Sequence, residues 1–195
     1  IGEIQKAYNL VKEINFDLIL SQEHLVYFQV IELNYLLSTF KLTEVCELKN
    51  FLLDNSITLP SFLLEKTDIF CLTIDNKLAE AKLLNSLLKD SEEKIDISFQ
   101  KLFDYMILED KEVAKFDPVN LMNSKDLIFL YSAMLRINEL PLTEDFINID
   151  PLNLSIPVIL SGSTPMGTRI KAANKAYNDE SISIDSLSAL YQSVD

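Results

Sequence analysis

The feature that most constrains this chain is an internal match at an offset of 36 residues. Residues 31–54 align with residues 67–90 without a gap. Leu36/Leu72, Lys41/Lys77, Leu42/Leu78, Glu44/Glu80, Leu48/Leu84, Leu52/Leu88 and Asp54/Asp90 are identical, seven of 24 pairs. Leu33/Ile69, Val45/Ala81 and Phe51/Leu87 keep their apolar character. Within each copy apolar residues recur every three or four positions, the spacing of a helix that buries one face. Each copy therefore reads as a helix–turn–helix unit. One such unit cannot cover its apolar face alone, so the units must stack.

The opening segment 2–15 also fits over 43–56, pairing Glu3 with Glu44, Ile4 with Val45, Asn9 with Asn50 and Leu10 with Phe51. The expectation is a chain that enters at the second helix of an earlier unit, as a piece of a longer array would. The unit length is close to the ~34 residues of tetratricopeptide repeats, and the chain is similar to that class. Ala79 and Ala81 stand where close helix approach needs small side chains, while the usual Trp–Leu–Gly–Tyr pattern is missing. Helical spacing is expected over 3–14, 21–38, 43–54, 61–75, 78–89, 96–109, 124–137, 165–177 and 184–194. Ser21, Pro60, Ser124 and the pair Thr164–Pro165 supply start signals. Residues 138–165 read as a Pro/Asn-rich connection with room for one short helix, and Ile156–Leu160 is ambiguous between helix and strand. The fold expectation is all-α: antiparallel helix hairpins stacked as a short tetratricopeptide-like solenoid of about 9–11 helices. It would form a single helical-repeat domain over 1–195, regular through 1–90 and less regular through 91–195. A boundary near 111–123 is compatible with the acidic linker there.

Composition narrows the alternatives. Three glycines and six prolines in 195 residues leave little for the tight turns of an all-β fold. With 48% hydrophobic and 24% charged residues the chain is not intrinsically disordered. The net charge is −13, shared by both halves, and only Arg136 and Arg169 among the 17 basic residues are arginines. A phosphate backbone would be repelled, which excludes nucleic acid as the expected partner and disfavours anionic membranes. The longest uncharged run, Pro151–Thr168, is broken by prolines and glycines, so no transmembrane segment is expected. The chain starts at Ile1, which is compatible with removal of a leader.

The chemistry is sparse. His24 is the sole histidine, and Cys46 and Cys71 form no CxxC pair; there is no HExxH, no EF-hand loop and no GxSxG elbow. No catalytic, cofactor-binding or metal-ligating residue is expected, and His24 reads as an ordinary residue near the start of helix 21–38. The acidic pairs Glu92–Glu93 and Glu109–Asp110 read as solvated faces, because adjacent helical residues point apart. Residues 155–167 imitate the start of a P-loop, but Thr168 and Arg169 stand where Lys and Ser/Thr are required, and Pro165 removes an N–H from the cradle. Ser163, Thr164 and Arg169 remain a candidate anion site at a helix start. An enzyme reading would need a pocket holding a carboxylate of raised pKa near 150–170.

Cys46 lies on helix 43–54 and Cys71 on helix 61–75. Helices folded antiparallel about the loop 55–60 bring the two opposite each other, so a disulfide is geometrically available. Two reduced cysteines acting as small buried apolar residues would serve the same positions. The pattern Cys46…Phe70–Cys71, followed by Ala79–Ala81 and Leu83–Leu88, resembles an uncharacterised helical family of alphaproteobacterial envelope proteins. The ending Arg169-Ile-Lys-Ala-Ala173 with Leu187…Leu190–Tyr191 shares that resemblance. It would cover 43–195, with Lys, Asn and Ile replacing Arg/Ala-rich stretches. The resemblance implies a Cys46–Cys71 disulfide and a periplasmic or otherwise extracytoplasmic location, and it implies no activity; a cytoplasmic location is the alternative. The functional expectation is a non-catalytic protein-interaction or structural scaffold with a protein or peptide partner. The alternative is a cell-envelope enzyme or accessory domain with a cryptic or missing catalytic part.

Overall fold

The computed structural model describes residues 3–14, 21–108 and 125–193. Among these residues it contains eleven α-helices and no strand. They are α1 (Ile4–Lys12), α2 (Gln22–Ser38), α3 (Leu42–Asp54), α4 (Leu63–Ile74), α5 (Leu78–Ser91) and α6 (Ile97–Met106), then α7 (Ile128–Ile137), α8 (Glu144–Ile149), α9 (Pro151–Leu160), α10 (Met166–Asn178) and α11 (Ile184–Gln192). Most sequential helices pack against one another, and α2 is joined by two distant partners, α7 and α9.

The course of α7 follows from its sequence. Residues 128–135 (IFLYSAML) have no polar stripe, and a helix that is apolar all round is stable only when covered all round. All eight are buried, with Leu130, Tyr131, Ala133 and Met134 fully so. α7 rests on α2 and α6, and Arg136 Nη1 donates to the Ser38 carbonyl at 3.1 Å. The guanidinium lies 4.2 Å over the Phe40 ring, and burial pushes its pKa down. This main core, from Leu33 to Ala172, is accompanied by a smaller one of Ala173, Leu187 and Leu190 between α10 and α11; Ile159 touches both.

Five helices end the same way. After α2, α3, α4, α7 and α10 the second residue beyond the helix takes a left-handed conformation: Phe40, Ser56, Asn76, Glu139 and Glu180, with φ between 54 and 60°. The next N–H reaches back five residues in each case, as in Lys41 to Leu36 (2.9 Å), Lys77 to Leu72 (2.8 Å) and Ile57 to Leu52 (3.0 Å). This is the Schellman closure, which usually places glycine at that point. The turns after α2 and α4 lie 36 residues apart and share every one of these bonds. Val45 and Ala81, Leu52 and Leu88, and Leu33 and Ile69 are buried at the same spacing.

A non-glycine residue in this conformation costs about 1 kcal/mol or more. Glu139→Gly and Glu180→Gly, both at exposed positions, are each expected to raise the unfolding free energy by about 1 kcal/mol. Urea titration measures this, and an unchanged midpoint would remove strain from the account. Phe40→Gly should gain less, since it also discards the Arg136 stacking.

Two regions depart from expectation. Residues 144–160 form two helices, α8 and α9, where one short helix and an ambiguous apolar piece were expected. Asp150 caps α9 by accepting the Asn153 N–H at 3.2 Å, and Pro151 occupies the first helical position. Pro157 inside α9 removes one backbone bond, a cost of about 3 kcal/mol, offset by complete burial of Leu154 and Val158. Pro60 does not open α4 directly. It starts a 3-10 turn over Pro60–Phe62, in which Ser61 and Phe62 are both left-handed, and α4 begins at Leu63. Ser124 lies outside the described residues. Among the described residues no helix is long and apolar enough to cross a membrane.

Candidate functional site

Three helix-connecting corners meet in a cleft of about 840 Å³. Its walls are the Ser61–Phe62 turn, the α5–α6 corner from Ser91 to Ser98, Lys101 of α6, and Asp126–Leu127 just before α7. Ser61 Oγ donates to Asp126 Oδ2 at 3.0 Å and ties two of these corners together.

On the floor sits a dry charge network. Lys66 is only 2% exposed, in an α4 stretch that is otherwise mostly apolar. Its Nζ lies 2.8 Å from Glu92 Oε1 and 3.0 Å from Asp96 Oδ2, and 5.7 Å from the centre of the Phe99 ring. Glu92 closes α5 and Asp96 opens α6, where Asp96 Oδ1 accepts the Phe99 N–H at 3.1 Å. The fully buried Tyr131 hydroxyl of α7 donates to Asp96 Oδ2. Four helices are thus pinned at one ammonium–carboxylate cluster. Two further buried polar pairs join neighbouring helices: Lys49 Nζ to Asp68 Oδ1 at 2.8 Å, and a reciprocal amide pair between Asn85 and Gln100 at 2.8 and 2.9 Å. Lys49 and Asn85 lie 36 residues apart in sequence.

Asp96 is held below the usual carboxylate range. Burial alone would raise its pKa, but the Tyr131 hydroxyl, the Phe99 N–H and the Lys66 ammonium together favour the ionised form. Its folded pKa therefore lies below the unfolded value of about 3.9. The stability it contributes is complete above that value and is lost as pH falls through the folded pKa. Acid titration of unfolding should show a limb below about pH 4 that flattens in Tyr131→Phe. An identical limb in that variant would detach Asp96 from the acid response.

Glu92 corrects the solvated reading of the pair Glu92–Glu93. The two do point apart, but Glu92 points inward onto Lys66 and only Glu93 is exposed. Glu109–Asp110 lies outside the described residues. A sequence signal for Asp96 existed, an Asp directly before an apolar helical run. None existed for Lys66, whose partners are 26 and 30 residues away.

Cys46 and Cys71 are joined in a disulfide between α3 and α4, with Cα atoms 5.7 Å apart. Cys71 is buried and Cys46 half-buried. The candidate anion residues lie at the α9–α10 turn. Thr164 is buried and its Oγ1 accepts the Leu142 N–H at 2.9 Å, so it holds the chain before α8 instead of capping α10. Arg169 Nε donates to the Ile159 carbonyl at 2.8 Å, and Ser163 is exposed. His24 is exposed on the first turn of α2. Among the described residues no three His, Cys, Asp or Glu side chains converge as metal ligands. The charged cleft draws none of its lining from 150–170, where the enzyme alternative requires a pocket. No protein-family model, curated protein or solved structure matches the chain.

Proposed function

We propose that the protein is a non-catalytic protein-interaction or structural scaffold whose helix hairpins stack as a short tetratricopeptide-like solenoid. One observation carries the reading: turns, buried positions and exposed positions recur together at 36 residues. Most recurring exposed positions are polar, as at Lys41/Lys77, Glu44/Glu80 and Asp54/Asp90, but one pair is large and apolar, Phe51 on α3 and Leu87 on α5, each 53% exposed, with Leu83 one turn before Leu87. A lone exposed apolar residue needs no explanation, but recurrence at equivalent positions of two units suits contact with another protein. The side of the hairpins that meets α7 is consumed by internal packing, which leaves the α3 and α5 faces for a partner.

The test is a photo-crosslinking residue at 51 or 87, with position 180 as control, in the native cell. A discrete adduct at 51 and 87 and none at 180 is expected; no adduct at 51 and 87 would sink the reading. The disulfide supports an oxidising, extracytoplasmic compartment. Intact-mass thiol counting on protein from its own cell should find no free thiol, and two free thiols would place it in a reducing compartment. A second reading, an envelope enzyme or accessory domain with a cryptic catalytic part, draws on the charged cleft. Its weakness is that Asp96 is held ionised and so is unsuited to a general acid.

A further inference from the structure

We propose that the cleft beside Lys66 is a socket for a cationic side chain, arginine or lysine, presented by a partner peptide with apolar neighbours. The proposal rests on the scaffold reading and names what one of its surfaces would take. The floor sets one ammonium against two carboxylates, and Lys66 and Glu92 are almost dry, with side chains 3% and 5% exposed. A buried charge is tolerable when paired. Here the pairing leaves one negative charge over, at Asp96, the more open of the two acids. The whole lining repeats that balance, with three lysines against four carboxylates, inside a protein of net charge −13.

An anionic guest on the floor would have to take Lys66 from its partners and strand a carboxylate beside it, and the other two lysines of the lining, Lys94 and Lys101, are matched there by Glu93 and Asp126. A cationic guest adds its charge where negative charge is in excess and displaces nothing. Asp96 is already fixed by Tyr131 and the Phe99 N–H, so little ordering remains to be done on binding.

The rest of the cleft points to a peptide over a small amine. About 840 Å³ is far more than one ammonium or guanidinium fills. Ile95 and Ile97 flank Asp96 on the lining and are 46% and 66% exposed, giving an apolar shelf on either side of the charge. A guest that suits both is a basic residue between two apolar ones.

The test uses the disulfide-intact full chain and a neutral-capped pentapeptide, Gly-Leu-Arg-Leu-Gly. Amide NMR follows the site, and fluorescence anisotropy of a dye-labelled copy gives affinity. The Arg peptide should shift amides within 92–98 and 126–127, and should bind at least about tenfold more tightly than its citrulline analogue. Its affinity should fall as salt is added. Ile97→Ser, at a position too exposed to threaten the fold, should weaken the Arg peptide several-fold and leave the thermal midpoint unchanged. Equal binding of Arg and citrulline peptides, shifts mapping elsewhere, or no binding at millimolar peptide would each overturn the socket. Spermidine binding as tightly as the peptide would overturn the peptide as occupant. Crosslinks at 51 and 87 are read independently, so failure of the socket is distinguishable from failure of the scaffold.

Discussion

Lys66→Met is expected to lower the unfolding free energy by about 3–5 kcal/mol. The lysine stem is replaced by a side chain of similar length, so packing loss is small. The effect comes from what is left behind: Glu92 and Asp96 face each other without their cation in a nearly dry corner. Removing one partner of a buried pair costs far more than the pair contributes net. The double variant Lys66→Met/Glu92→Gln should therefore recover much of the loss, since Asp96 keeps the Tyr131 hydroxyl and the Phe99 N–H. That non-additivity is the signature to look for in urea unfolding. A loss below about 1 kcal/mol, within the range of a surface pair, would mean that the corner is effectively wet.

Loss of the Cys46–Cys71 bond is the second large effect. The bridge spans 25 residues, and closing a loop of that size in the unfolded chain is worth about 3 kcal/mol. Reduction of the wild-type protein should lower stability by about that amount while helicity at room temperature persists. The denaturant slope should rise as well, because the reduced unfolded chain is more expanded. Cys46→Ala/Cys71→Ala should cost somewhat more than reduction, since Cys71 is buried and alanine leaves a void. Equal stability of oxidised and reduced protein would show that the unfolded chain keeps the two helices together without the bond.

The legible and illegible parts of the sequence divide along physical lines. Helices with an apolar stripe, such as α3 and α5, announce themselves because a single buried face prints a period of three to four residues. The all-helical character follows from many such stripes together with few glycines. α9 hides because residues 151–160 carry only Asn153 and Ser155 as polar side chains and so print no stripe, and Pro157 reads locally as a breaker. Its helical state is set by Asp150 at its start and by the helices packed around it. The Lys66 cluster hides for a different reason. Its members come from four helices, up to 65 residues apart, and no local pattern records that they meet. The Glu92–Glu93 pair shows the limit of local geometry: it says that two neighbours diverge, not which of them faces inward. Thr164 is similar, a plausible cap in sequence that serves the Leu142 N–H across the chain.

The seating of α7 against α2 has a mechanical consequence. Stacked hairpins that touch only their neighbours yield to a pulling force one at a time, in a staircase of small extensions. Here Arg136 grips the Ser38 carbonyl across 98 residues, and the Ile4 N–H is held by Asn153 Oδ1 across 149. Stretched from its ends, the chain cannot shed its first hairpins while α7 and α9 stay seated on α2. It should resist, and then give way from α1 to α9 in a single rupture, with the disulfide keeping residues 46–71 from contributing to the extension that follows.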